Sequence, residues 1–87
     1  MAIDFPNLSR SYDSKRHGVR FWGHHDSREV SFLVEEDALA RIDQTTPRTE
    51  DEFLAAFDAH RDRIFTVARK VYTPRSSGFH ALSVANF

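Results

Sequence analysis

Apolar and polar residues alternate in two stretches near the start of the chain, a pattern typical of half-buried β-strands. The first stretch is GVRFWGH, residues 18 to 24, and the second is EVSFLV, residues 29 to 34. In each stretch one face is apolar and the other is mixed. Trp22 and Leu33 fall on the mixed face, which we expect to point away from the core.

The two apolar sets share one face of a sheet only if the strands pair in the right register. A one-residue slip would turn one set to the other face, so the numbers of paired residues must add up to an odd total. A total of 53 places Phe21 opposite Phe32 and Val19 opposite Val34. The pattern predicts an antiparallel hairpin in this register, with either residues 26 and 27 or residues 25 to 28 as its loop.

Two helices are predicted after the hairpin. Residues 35 to 43, EEDALARID, form a short amphipathic helix with an acidic start. Thr49 and Glu52 form a capping box that opens a longer helix, over residues 50 to 72. Its main apolar stripe consists of Phe53, Phe57, Ile64, Val67, Ala68 and Val71, and a second flank consists of Leu54, Phe65 and Tyr72.

Another alternating stretch near the end of the chain predicts a further strand over residues 78 to 86. His80, Leu82 and Val84 are expected on its core side. The AIDF run at residues 2 to 5 can add an edge strand that Pro6 ends. The prediction is an α+β fold in ββααβ order, with a small antiparallel sheet packed against one long and one short helix in a single domain, residues 1–87.

Composition agrees with one globular domain: of 87 residues, 40% are hydrophobic, 29% are charged and eight are Phe. The absence of Cys excludes disulfide frameworks and thiolate metal sites. We see neither a leader-like apolar run nor 18 consecutive apolar residues, so we expect a cytoplasmic protein with no membrane partner.

The net charge of −1 conceals an uneven distribution along the chain. Residues 1 to 28 carry +2, residues 29 to 58 carry −7 and residues 59 to 87 carry +4. A basic region can indicate a nucleic-acid surface. The helix dipole offers the simpler explanation, because acidic residues begin the long helix and basic residues end it.

Residues that could carry chemistry are few and poorly placed. His24 and His25 are adjacent, so they would point to opposite faces of a strand, and Asp26 would be a solvated loop residue with them. His60 and His80 would miss each other by roughly 10 Å on ideal helix and strand geometry. With no GxSxG, P-loop, GxGxxG or HExxH pattern, we predict no catalytic residue, no metal site and no cofactor, and we do not expect an enzyme.

Several short motifs, taken in order, resemble a known family over nearly the whole chain. They are AIDFP, Tyr12-Asp13, VRFWG, VSFLVEEDAL and FDAHRDRIFTVARKVY. In order and spacing they are similar to the domain of unknown function 1488 family of small uncharacterised bacterial proteins. Its most specific part is the helix pattern that begins at Phe57 and His60-Arg61. The resemblance implies a stand-alone soluble α+β protein and supplies no reaction or ligand.

Two functions remain open. The first is a protein-interaction or self-associating module, since a helix of about 23 residues, roughly 34 Å long, would overhang strands of roughly 20 to 23 Å and would need a cover. Its expected contact residues are Trp22, Leu33, Phe65 and Tyr72. The alternative is a nucleic-acid-binding accessory protein that uses Lys15, Arg16, Arg20, Arg69 and Lys70 around Trp22.

Overall fold

The computed structural model describes residues 3–6, 9–25, 28–72 and 79–87. In these residues the elements are β1 (Arg10–Asp13), β2 (Gly18–His25), β3 (Arg28–Glu35), α1 (Glu36–Asp43), α2 (Glu50–Ala59), α3 (Arg61–Val71), β4 (Phe79–Leu82) and a 3-10 turn (Val84–Asn86). The strands form one sheet in the order β1-β2-β3-β4. The predicted α+β class is confirmed.

The predicted hairpin between β2 and β3 is confirmed in its register. Phe21 pairs with Phe32 and Val19 pairs with Val34, and all four side chains are buried. Pairing continues to His25 opposite Arg28, so the shorter of the two expected loops connects the strands. The loop residues, 26 and 27, lie outside the described residues.

The last strand corrects the expectation of a wholly antiparallel sheet. β4 pairs in parallel with β3, so the sheet is mixed. The chain reaches β4 through three helices, and a crossover of this length allows a parallel return. His80 and Leu82 are buried on the core side as predicted, but β4 ends at Leu82, and Val84 packs on the core from the 3-10 turn.

The single long helix predicted for residues 50 to 72 is wrong, because the chain breaks it at His60. α2 ends at Ala59, and His60 has φ −120° and ψ 23°, outside the α-helical range. Its N–H donates to the carbonyl of Phe57, three residues back, at 3.2 Å. Two shorter helices thus replace the predicted long one. The predicted capping box at Thr49 and Glu52 is present.

The N-terminal segment lies beside the part of β2 that β1 does not pair with, and its described residues 3–5 form no strand. Asp4 makes one bridge to His24, with backbone hydrogen bonds of 2.9 and 2.7 Å. The strand at this edge is β1, which the sequence did not indicate. Ile3 and Phe5, on either side of the bridge, are buried in the core.

All three helices pack on one face of the sheet. Buried helix residues such as Leu39, Phe57 and Ile64 form one cluster with Phe21 and Phe32 of the strands. Among the described residues, no helix is long and apolar enough to span a membrane. Because the helices cover one face of the sheet, any site on the sheet must use the opposite face.

Candidate interaction surface

The sheet face opposite the helices, which we call the outer face, is defined by strand alternation. Side chains at odd positions of β2 and even positions of β3 lie in the core, so the alternate ones point away from it. The described outer-face residues are Ser11, Asp13, Gly18, Arg20, Trp22, His24, Glu29, Ser31, Leu33, Glu35, Phe79 and Ala81.

Leu33 lies on the outer face as predicted, but it is not an exposed contact residue. It is only 4% exposed and yet does not belong to the core cluster. Gly18 gives it room, because a Cβ at Gly18 would lie 2.9 Å from the Leu33 Cγ and 2.5 Å from the carbonyl oxygen of Val34. Leu33 thus forms the buried floor of this face.

Arginine and aromatic side chains lie on the same face as Leu33. The guanidinium carbons of Arg16 and Arg20 lie 4.8 and 5.9 Å from the centre of the Phe79 ring, within the range of cation–π attraction. Trp22, the single tryptophan, and Phe79 flank Ser31 in one row across the sheet. We call Arg16, Arg20, Trp22 and Phe79 the arginine–aromatic layer.

The guanidinium of Arg20 is only partly satisfied within the chain. Its nearest carboxylate oxygen, on Asp13, is 3.9 Å from Nη1, too far for a hydrogen bond. Its Nε is buried and has no hydrogen-bond partner among the described residues. Arg10 differs, since its Nε and Nη2 donate to Asp58 at 2.9 and 2.8 Å. Arg20 therefore retains capacity to bind an additional acceptor.

Phe65 and Tyr72, predicted as surface contacts, lie largely against the core. Phe65 is 8% exposed and stacks on Phe5 with ring centres 4.3 Å apart. Tyr72 is half-buried, and its hydroxyl lies 2.6 Å from Nδ1 of His25. Phe5 of the N-terminal segment covers Phe65, and His25 of β2 contacts Tyr72, where a partner was expected. Of the four predicted contact residues, only Trp22 belongs to the arginine–aromatic layer.

The structure separates the five basic residues proposed for nucleic-acid contact. Arg16 and Arg20 belong to the outer face, and the exposed Lys15 lies in the turn before β2. Arg69 instead lies over Phe5, 5.2 Å from the ring centre, and its Nε donates to the carbonyl of Ile3 at 3.3 Å. Lys70 is exposed on the same helix, α3. The five residues do not form one continuous basic patch.

His25 is not a solvated loop residue as expected. It is 8% exposed and lies edge-on to Tyr72, which also lies edge-on to His80. His80 in turn stacks on Phe32 with ring centres 5.3 Å apart. His24 is half-buried in β2, and Asp26 lies outside the described residues. The two buried histidines therefore help to pack the end of the sheet.

A second polar cluster joins the end of α1 to the helix break. Nε2 of His60 donates to Asp43 at 2.8 Å, and Oγ1 of Thr45 donates to the other carboxylate oxygen at 2.7 Å. Together the hydrogen bonds of Thr45 and His60 hold the pKa of Asp43 below its usual 3.8. His60 and His80 thus have different described partners. Both carboxylate oxygens of Asp43 already accept hydrogen bonds. Asp43 therefore acts as a clamp between the end of α1 and the helix break at His60.

Two shallow depressions lie beside these clusters. One, of about 380 Å³, is lined by Arg16, His17, Glu35, Glu36 and Asp37. The other, of about 370 Å³, lies beside the Asp43 clamp. In the first, the Tyr12 hydroxyl donates to Glu36, which holds the pKa of Tyr12 above its usual 10.0. No group of three or more His, Asp or Glu side chains in the described part of the chain could hold a metal ion.

Comparisons with known proteins give a family and a fold. The crystal structure of a protein of unknown function from the DUF1488 family of Shewanella loihica PV-4 superposes with a TM-score of 0.75, covering 93% of this chain and 91% of that one at 12% identity. No curated protein matches the chain. The family model described as "Protein of unknown function (DUF1488)" matches residues 3–78. The chain belongs to the DUF1488 family.

Proposed function

We propose that this protein is a protein-interaction module without catalytic activity, and that the arginine–aromatic layer is its contact surface. The observation that carries the proposal is the position of the layer. Trp22 and Phe79 lie in one row on the sheet face that the helices leave to the outside, with two guanidinium groups held over the Phe79 ring.

The chemistry of the layer suits a protein partner. Trp and Arg are the residue types most often found at the energetic centre of protein interfaces. Arg16 and Arg20 are already held over Phe79, so less side-chain entropy would be lost when a partner binds. Leu33 beneath them provides a rigid buried floor. A partner therefore meets a preorganised surface.

The electrostatics of the outer face favour a protein over a nucleic acid. Asp13, Glu29 and Glu35 share the face with Arg16 and Arg20, so its net charge is not basic. A phosphate backbone requires clustered positive charge. A protein partner can present charges of both signs.

The test is a binding comparison between two matched substitutions. Wild type, Trp22→Ala and Arg63→Ala would each serve as bait in extract from the source cells, Arg63 being exposed on α3 of the helical side. A captured protein would then be purified and titrated against all three. We expect Trp22→Ala to weaken direct binding by about tenfold or more, as for a central interface aromatic, and Arg63→Ala to leave it unchanged.

Two outcomes would contradict the proposal. One is equal binding of purified partner to wild type and Trp22→Ala. The other is salt-dependent binding of a labelled single-stranded oligonucleotide that Arg20→Ala abolishes, which would support the nucleic-acid alternative instead.

A further inference from the structure

The two central strands carry different charges on the outer face. The outward residues of β2 after Gly18 are Arg20, Trp22 and His24, with no acid among them. The outward residues of β3 are Glu29, Ser31, Leu33 and Glu35, with no base among them. The outward positions of the two central strands are thus basic and aromatic on β2 and acidic on β3, whereas Asp13 beside β2 and Phe79 beside β3 do not follow this division.

A surface divided in this way is complementary to itself. A two-fold axis parallel to the strands, between β2 and β3, would lay β2 of one copy over β3 of the other. The pairing within the sheet then gives the opposing residues: Trp22 would face Ser31 of the partner subunit, and His24 would face Glu29 of the partner subunit. A large indole would meet a small side chain.

Arg20 is the residue that such a contact would complete. It would face Leu33 of the partner subunit, one row from that subunit's Glu35, and a guanidinium can span the roughly 6.6 Å between rows. Among the described residues of its own chain, the guanidinium of Arg20 has only the carboxylate of Asp13 at 3.9 Å and the Phe79 ring at 5.9 Å. We infer that the occupant of the outer face is a second copy of this chain, bound across this axis with reciprocal Arg20–Glu35 ion pairs. The inference rests on the proposed function and names its partner.

The available area sets the strength of the contact. Two strands of eight residues and two of four, at about 3.3 Å per residue and about 4.8 Å between strands, give roughly 380 Å² per copy and roughly 760 Å² in total. This is below the usual area of a specific, stable interface, so the dimer is a weak one. The association depends on concentration and is reversible.

Charge exchange provides the decisive experiment. Sedimentation equilibrium of the wild type should show the mass rising with concentration from 10.1 kDa towards twice that value. Arg20→Glu and Glu35→Arg should each weaken self-association by about tenfold or more, because each places like charges together. An equimolar mixture of the two variants should recover wild-type affinity, since each altered side chain then meets its complement. Arg63→Glu, on α3, is the matched control and should change nothing.

A cross-linking measurement provides a second readout. The chain has no Cys, so a single one can be introduced without interference. With sheets about 10 Å apart and strands about 4.8 Å apart, the two Ser31 positions would lie roughly 11 Å from each other. A short bismaleimide should therefore join Ser31→Cys into dimers and leave Thr66→Cys, exposed on α3, as monomer.

The possible results separate this inference from the proposed function. A wild type that stays monomeric at millimolar concentration, together with a different partner that requires Trp22, would overturn the second copy and keep the interaction module. A dimer that tolerates Arg20→Glu, or a mixture that fails to recover affinity, would overturn the arrangement. Monomeric protein without any Trp22-dependent partner would overturn both.

Discussion

At the residue scale, Gly18 determines how the outer face is built. Because Gly18 has no side chain, Leu33 can pack against the sheet at this position. Arg16 and Arg20 then lie against the ring of Phe79 on the same face. The backbone φ of Gly18 is not in the left-handed region, so the requirement for glycine is one of space. The packing of the outer face therefore requires that residue 18 has no Cβ atom.

This reasoning predicts different costs for two glycine substitutions. Gly18→Ala should lower the free energy of unfolding by about 1 to 3 kcal/mol, since the new Cβ would meet the rigid backbone carbonyl of Val34. Gly23→Ala should cost less, because its Cβ would meet side-chain atoms of Ile3 and Phe5 at 2.9 to 3.0 Å and no backbone atom among its nearest neighbours. Urea denaturation of both variants measures the difference, and a larger loss for Gly23→Ala would contradict it.

Residues were predicted well from sequence where burial follows strand alternation. Val19, Phe21, Phe32 and Val34 are such cases. Phe65 was misplaced because its cover, Phe5, lies 60 positions earlier in the chain, and periodicity reports only local order. Phe79 was overlooked, although it alternates with His80 and Leu82 and that phase places it on the outer face.

At the element scale, the start of α2 is the most strongly specified boundary. Oγ1 of Thr49 accepts a hydrogen bond from the Glu52 N–H at 3.2 Å. The carboxylate of Glu52 accepts from the N–H groups of Arg48 and Thr49 at 2.9 and 3.1 Å, and these bonds hold its pKa below the usual 4.5. The box satisfies donors that would otherwise have no partner at the helix start.

We therefore expect Thr49→Ala to destabilise the protein by about 1 kcal/mol, the usual value of such a cap. Thr66→Ala is the matched control. Its hydroxyl donates only to the carbonyl of Asp62 within α3, a bond that adds little to a helix. Thermal unfolding of both variants tests this. Equal losses would show that the box is not the source of the stability.

The helix break at His60 and the direction of β4 differed most from expectation, and neither has a signal in the local sequence. No Gly or Pro lies near His60, so the helix period alone continues through the break, and the clamp to Asp43 is visible only in three dimensions. The direction of β4 depends on how α1, α2 and α3 cross the sheet. The sequence of a strand does not state whether its partner is parallel.

At the scale of the whole molecule, ion pairs join elements that are far apart in the chain. Asp58 at the end of α2 accepts from Arg10 in β1 and from Arg61 in α3, the latter at 2.7 Å. The hydrogen bonds of Arg10, with help from Arg61, hold the pKa of Asp58 below its usual 3.8. One carboxylate thus links the edge strand to both long helices.

A depressed pKa makes this contribution sensitive to acid. The unfolded chain binds a proton at Asp58 more readily than the folded protein does, so the stabilisation is present above about pH 4 and decreases as the pH falls through 3.8 and below. The stability advantage of wild type over Asp58→Asn should shrink over that range. Thr66→Ala, at an exposed position without a titrating group, is the control and should show no comparable trend. Urea titrations between pH 7 and pH 3 provide the measurement, and a constant advantage would contradict the assignment.

The parallel joining of β4 to β3 also has a consequence for synthesis. The apolar residues of β3 are buried, namely Val30, Phe32, Leu33 and Val34, yet one edge of its backbone pairs only with residues 79–82. A nascent chain that has not yet emerged that far exposes an apolar edge strand able to pair with a neighbouring chain. The time that the ribosome takes to translate the crossover is therefore the period in which this protein is most prone to aggregate.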